Sequence, residues 1–139
     1  MRLVIDTNIV ISALISREGK ASSLLFLSEL QLYAPPFLLE EIEEHKSEIL
    51  EKTELSELNF SIALARITSH ICFVPVPDYA PYLLTTKKFS PDPDDLHYLA
   101  LALSLGCPVW TNDKRLKEQT RVLVLSTHEL ALKLSGPLP

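Results

Sequence analysis

The chain has 139 residues, the usual size of a single globular domain. With 47% apolar residues, 22% charged residues and only 3 Gly, its composition excludes disordered and fibrous classes. The net charge of −5 excludes a uniformly basic surface, and no apolar stretch approaches the ~18–20 residues that span a bilayer. From its length we expect one domain over residues 1–139, and from its short apolar stretches no membrane partner. Because no signal peptide pattern is present, we expect the protein in the cytoplasm.

The first half of the chain predicts strands that alternate with helices. An apolar strand at 3–5 ends at Asp6, and the capping types that follow open a first helix. Gly and Pro punctuate the segments beyond it. There we predict a helix at 21–30, a strand at 32–34, a helix at about 37–50, a helix at about 56–70 and a strand at 72–76.

The second half continues the alternation after a Pro-rich loop at 77–93, which holds a short helix at 79–85. Asp94 and Asp95 cap a helix that Gly106 ends, strands follow at 109–111 and 122–125, and Ser126 or Thr127 caps the last helix. Such crossovers predict a mostly parallel five-stranded sheet between helical layers, with ligands beyond the carboxyl ends of its strands.

Three aspartates are expected near that edge: Asp6, Asp95 and Asp113. Each alone could simply cap a helix, a role that contributes about 1 kcal/mol. Together they would repel one another at short range unless a divalent cation neutralised part of their charge. The group therefore indicates a metal site.

A fourth acid is expected from the glutamate-rich segment 40–57, where eight of eighteen residues are Asp or Glu. Helical spacing predicts a buried face made of Leu38, Ile42, His45 and Ile49. Glu41 borders that face, whereas Glu40 and Glu43 point away from it. We therefore select Glu41.

The donor types favour Mg²⁺ or Mn²⁺, because hard carboxylate oxygens suit these ions and no His or Cys cluster offers a zinc site. Cys72 and Cys107 match no C-x-x-C spacing and lie in apolar, strand-like segments. We predict that both are reduced core residues.

Four segments in order resemble the PIN domain family over nearly the whole chain. They are VIDTN at 4–8, EI at 41–42, DPDD at 92–95 running into LALA at 99–102, and WTNDK at 110–114. The resemblance implies a three-layer α/β/α domain with a central parallel sheet. It also implies an endoribonuclease that needs one or two Mg²⁺ or Mn²⁺ ions, as in the VapC-type toxins of toxin–antitoxin pairs.

The same resemblance implies roles for individual residues. Asp6 is a direct metal ligand that bridges if two ions bind, and Asp95 and Asp113 complete the carboxylate set. Glu41 either binds the metal or orients a water. Beside them we place Asn8 and Thr111, which can fix a carboxylate's orientation, with capping and strand packing as the alternative.

Further charged residues flank these positions. Asp92 or Asp94 could assist a second metal or remain surface charge. The candidates for RNA phosphate contact are Lys87, Lys88, Lys114 and Arg115, each of which could instead be a solvated surface residue.

The resemblance implies a single-stranded RNA substrate, a cognate antitoxin and a homodimer as partners. Leu130, Leu134 and Leu138 recur at helical spacing, so we expect the tail to pack on the domain or on a second subunit.

Two other functions stay open: a non-catalytic PIN-like module that binds RNA or protein, and an RNA-processing nuclease without an antitoxin. A haloacid-dehalogenase-type phosphatase is disfavoured because Asn8 stands where it needs a second Asp. A receiver domain is disfavoured because it needs a Lys after its last strand and residues 122–126 contain none.

Overall fold

The computed structural model describes residues 1–136. In chain order the strands are β1 (Arg2–Ile5), β2 (Gln31–Ala34), β3 (Ile71–Phe73), β4 (Val109–Trp110) and β5 (Val124–Leu125). The α-helices within this range are α1 (Thr7–Ile15), α2 (Lys20–Leu25), α3 (Phe37–Glu44), α4 (Lys46–Thr53), α5 (Glu57–Thr68), α6 (Val76–Tyr79), α7 (Leu83–Lys87), α8 (Leu96–Leu105) and α9 (Thr127–Leu134). Short 3₁₀ helices lie at Ala80–Tyr82, Pro93–Asp95 and Lys114–Glu118. Leu138, the last member of the predicted tail pattern, lies outside the described residues.

The strands form one sheet in the order β3-β2-β1-β4-β5, and every neighbouring pair is parallel. Helices α1 to α5 pack together with α9 against α2, whereas α6 and α7 pack on α8. The sheet lies between these two groups, so the predicted α/β class and parallel sheet are confirmed. No helix of residues 1–136 is long and apolar enough to cross a membrane.

The central strand β1 marks the point where the chain changes direction across the sheet. From β1 the chain builds outward through β2 and β3, then returns to form β4 on the other side of β1. Val4 accordingly pairs with Tyr33 on one side and with Val109 on the other. In open parallel sheets a crevice forms beyond the strand ends at such a switch point. Asp6 lies at the end of β1 there.

The core is built on β1 and α8. Leu3, Val4 and Ile5 are fully buried, and α8 is buried from Tyr98 to Ala102 because it packs against β1 and β4. Trp110 is also fully buried and donates its indole N–H to Thr127 Oγ1 at 3.1 Å. The strands and α8 therefore give the carboxyl edge of the sheet a rigid base.

The single helix predicted over 37–50 is wrong, because the chain turns at His45 between α3 and α4. The glutamates of α3 are three and four residues apart, and such like-charge pairs disfavour a longer continuous helix. Leu38, Ile42 and Ile49 are buried as predicted, but His45 is exposed because it occupies the turn.

Several other boundaries differ from the prediction. The strand expected at 72–76 is β3, which ends before Pro75 because proline has no N–H for the ladder, and Val76 already begins α6. Cys72 lies exposed on this edge strand, so its predicted place in the core is wrong, while Cys107 is half-buried; both are free thiols. Helix α2 ends at Leu25, where an i→i+3 bond from Leu27 N–H to the Leu24 carbonyl replaces the helical pattern.

Candidate active site

Asp6 occupies the first position after β1 and is buried, with 8% of its surface exposed. Its Oδ2 accepts a hydrogen bond from Thr111 Oγ1 at 2.7 Å, and Asn8 Nδ2 donates to the same hydroxyl oxygen at 3.0 Å. Although Asp6 stands at the N-cap of α1, its side chain makes no capping bond. The predicted neighbours Asn8 and Thr111 therefore lie beside Asp6 and fix its orientation.

Burial raises the pKa of the Asp6 carboxyl, the carboxylates of Glu41 and Asp113 add to this effect, and the Thr111 hydrogen bond opposes it, so that the resulting pKa is about 6. An acid that merely capped a helix would be held in its charged form and show the opposite shift. Asp6 is therefore poorly accounted for by capping.

Asp95 precedes α8 and is buried, with 7% of its surface exposed. Its Oδ2 has no hydrogen-bond partner among residues 1–136, and its side chain does not cap the helix. Burial, followed by the carboxylates of Asp6, Asp113 and Asp92, raises its pKa to about 7. An orphaned, buried carboxylate oxygen costs free energy unless something binds it.

Glu41 lies half-buried on α3. Its Oε1 accepts from Thr7 Oγ1 at 2.6 Å and from the hydroxyl of Tyr98, which also contacts Thr7. Thr7 and Tyr98 were not among the residues predicted for the site. A tyrosine three residues after Asp95, in the first turn of a mostly aliphatic helix, is the signal that could have identified Tyr98.

Asp113 begins the 3₁₀ helix that follows β4 and does cap it, since its Oδ1 accepts from the Arg115 N–H at 3.0 Å. The Arg115 guanidinium also donates to Asp113 Oδ2 at 3.3 Å and to Asp92 Oδ2 at 3.3 Å. Arg115 thus connects Asp113 to Asp92 at the exposed side of the cluster.

The remaining predicted positions lie on the surface. Lys87, Lys88 and Lys114 are exposed, and so is Asp94, in contrast to the half-buried Asp92. Glu40 and Glu43 are exposed as predicted, while Glu41 faces the cluster. The four selected acids are therefore brought to one edge of the sheet.

A divalent cation would relieve the features that are costly here: an unpartnered carboxylate oxygen and carboxyl pKa values raised by neighbouring acids. No three His, Cys, Asp or Glu side chains of residues 1–136 are spaced to hold an ion as they stand. Glu41 is directed toward Thr7 and Tyr98, and Asp113 toward Arg115. The carboxylates of Asp6, Asp95 and Asp113 fit a hard cation once Asp113 turns from Arg115, while Glu41 keeps its contacts to Thr7 and Tyr98.

Fold and site together define an α/β domain with a carboxylate cluster at the switch point of a parallel sheet. A family model for the PIN domain matches residues 4–135, and the chain belongs to the PIN domain family, whose members are generally nucleases. No curated protein matches the chain significantly in sequence.

Solved structures similar to this chain share its fold at low sequence identity. VapBC2 from Rickettsia felis, bound to a DNA fragment from their promoter, has a TM-score of 0.72 and 16% identity over 91% of this chain and 98% of that one. A toxin–antitoxin complex from Klebsiella pneumoniae has a TM-score of 0.66 and 17% sequence identity, over 91% of this chain and 98% of that one. PAE2754 from Pyrobaculum aerophilum has a TM-score of 0.70 and 17% sequence identity, over 97% of this chain and 90% of that one.

Proposed function

We propose that this PIN domain is an endoribonuclease that hydrolyses phosphodiester bonds of single-stranded RNA and depends on Mg²⁺ or Mn²⁺. The observation that carries the proposal is the buried Asp95 carboxylate, whose Oδ2 lacks a partner within residues 1–136, close enough to Asp6 for their charges to interact. When bound, a divalent cation lowers the pKa of a water and stabilises charge on the departing oxygen.

The chain's own residues would divide the work. Asp6 and Asp95 would hold the cation, with Asp113 joining them after it turns away from Arg115. Thr111 keeps Asp6 aimed at the edge of the sheet through its 2.7 Å hydrogen bond. Because the hydroxyls of Thr7 and Tyr98 hold Oε1 of Glu41, its Oε2 can accept a hydrogen bond from the attacking water.

We further propose that the enzyme is the toxin of a toxin–antitoxin pair. One of the similar structures is a toxin–antitoxin complex and another is VapBC2 bound to promoter DNA, and both support an antitoxin partner for this chain. An RNA-processing nuclease without an antitoxin is the alternative, and the homodimer stays a prediction.

An open groove of about 580 Å³ between α1, α2 and α5 is the surface we assign to that partner. Exposed Phe26 and Ile62 line it, and so do the two cations Arg17 and Arg66. Apolar contact beside positive charge suits an amphipathic segment with acidic residues. An Ile62→Glu variant should lose binding to the product of an adjacent antitoxin gene and retain RNA cleavage, whereas unchanged binding would exclude this groove.

Cleavage of a labelled single-stranded RNA tests the catalytic proposal. We expect the purified protein to cut with Mn²⁺ or Mg²⁺ and to stop with excess EDTA. Asp6→Asn should abolish cutting, whereas Asp94→Asn, which removes the same charge from an exposed neighbour of Asp95, should retain it. If wild type and Asp6→Asn are equally inactive on several RNAs, a binding module replaces the nuclease. Equal cutting by both would assign the activity to a contaminant.

A further inference from the structure

Arg115 already neutralises part of the acid cluster in the absence of a metal. Its guanidinium donates to both oxygens of Asp113, at 3.4 Å from Nε to Oδ1 and 3.3 Å to Oδ2, and to Asp92 Oδ2 at 3.3 Å. The Asp113 carboxylate and the half-buried Asp92 are thereby joined through one cation. Oδ1 also accepts from the Arg115 backbone N–H, so both Asp113 oxygens are engaged, and a cation bound to them would compete with Arg115 for the same negative charge.

The contact is suited to exchange. The Arg115 side chain is 63% exposed, and ion pairs at this exposure contribute little net free energy. A divalent cation carries twice the charge and draws Asp6 and Asp95 as well, so it can displace the guanidinium from Asp113 at small cost. The guanidinium would then remain tethered at the edge of the cluster through its chain connection to Asp113.

We propose that Arg115 is a resident competitor of the metal: it holds Asp113 away from the ion until cation binding displaces it. This inference rests on the metal site of the proposed function. It makes Arg115 a positioning residue for Asp113 rather than a simple phosphate contact, and it sets the metal concentration at which the site fills.

Lys117 provides a matched control on the same 3₁₀ helix. It pairs with Glu129 instead of with the cluster acids. Lys117→Gln and Arg115→Gln remove the same charge two residues apart, so a difference between them reports the contact to Asp113 rather than net charge.

The experiment is a titration of each RNA-free, full-length variant with Mn²⁺ alone, with free Mn²⁺ followed by electron paramagnetic resonance. We expect Arg115→Gln to bind Mn²⁺ about two- to fivefold more tightly than wild type, the range that an exposed ion pair would account for. Arg115→Lys keeps the charge but loses the bidentate contact, so its affinity for Mn²⁺ should lie between those of wild type and Arg115→Gln. Lys117→Gln should match wild type.

Unchanged or weaker Mn²⁺ binding in Arg115→Gln would overturn the competition, and so would equal tightening in Lys117→Gln. Asp95→Asn separates this failure from failure of the metal site itself. If wild type binds Mn²⁺ and Asp95→Asn does not, the site stands whatever Arg115 does. If wild type binds no better than Asp95→Asn, the metal site fails and the Arg115 proposal falls with it.

Discussion

At the scale of single residues, the four acids differ in how their charge is supported. Asp6 and Asp95 are buried, and their pKa values are raised to about 6 and about 7. Glu41 and Asp113 are instead held by donors, from Thr7 and Tyr98 in one case and from Arg115 in the other. The buried pair therefore stores unfavourable charge that a cation can relieve, while the outer pair is held by neighbouring side chains in one geometry.

Tyr98→Phe tests how much this orientation of Glu41 contributes. The variant keeps the buried ring but removes the hydroxyl that donates to Oε1. A hydrogen bond to a charged group contributes about 1.5 kcal/mol, so we expect kcat for RNA cleavage to fall about tenfold. Tyr79→Phe is the control, because Tyr79 is equally buried but bonds to His97 Nδ1. Equal loss in both variants would mean that only packing is affected.

Asp95→Asn should remove a pH dependence of stability from the metal-free protein. Because the folded pKa is about 7 against an ordinary value of 3.8, the folded state binds the proton more tightly, so stability falls as pH rises from about 4 to 7. The variant should therefore gain, relative to wild type, on the order of 2 kcal/mol between pH 5 and pH 8. Urea unfolding of both proteins at each pH, in the presence of EDTA, measures this difference in the free energy of unfolding. Asp94→Asn, an exposed neighbour, should show no such gain; a pH-independent difference for Asp95→Asn would contradict the shift.

At the scale of elements, two helices end at a residue with a positive φ. Gly106 ends α8 with a φ of 64°, and Glu54 ends α4 with a φ of 57°. Only glycine adopts this region without strain, so the two helices end by the same geometry with different residues. The α8 end uses the favoured residue and the α4 end does not.

Opposite stability changes are expected at these two positions. Gly106→Ala should cost about 1 kcal/mol from backbone strain alone, since an added Cβ meets no atom within 4 Å. Glu54→Gly should stabilise by about 0.5 kcal/mol, the relief of strain offset in part by the unfolded chain's added freedom. Glu51→Gly, in the interior of α4, should instead destabilise by about 1 kcal/mol. Chemical denaturation measures the free energy of unfolding of each variant. If Glu54→Gly destabilises the protein, the backbone at Glu54 is not strained.

The features that could be predicted from sequence are those set by the preferences of single residue types or by strand direction. The carboxyl ends of parallel strands meet at one edge, which is why Asp6 and Asp113 could be placed there from sequence, and Gly106 and Ser126 mark helix ends through their own conformational and capping preferences. The turn at His45 could not be predicted, because Leu38, Ile42 and Ile49 keep the spacing of one buried face whether α3 and α4 form one helix or two, and the like-charge pairs of α3 do not mark where a helix ends. The contact from Tyr98 to Glu41 joins two helices far apart in the chain, and periodicity within either one does not reveal it.

At the scale of the whole molecule, the proposed RNA substrate carries the same sign of charge as the protein. The net charge is −5, and glutamates are dense on α3, α4 and the start of α5. Under the proposed function, long-range steering of RNA would be weak, and binding would depend on a few local cations and on the metal. Lys87 and Lys88, exposed where α7 leads into the loop before Asp92, are well placed in the chain for that task.

A charge-matched pair of double variants tests this local arrangement. Lys87→Gln with Lys88→Gln removes two positive charges near the loop, and Lys52→Gln with Lys133→Gln removes two from exposed positions on α4 and α9. If the loop lysines contact phosphates, the first pair should raise KM for RNA and lower the slope of log KM against log salt by about 1.4, or roughly 0.7 per lost contact on a single strand. The second pair should leave both quantities near wild type, because net charge alone steers little at physiological salt. Equal increases in KM would assign RNA binding to overall charge, and no increase in either pair would leave phosphate binding to the metal and the residues of the cluster.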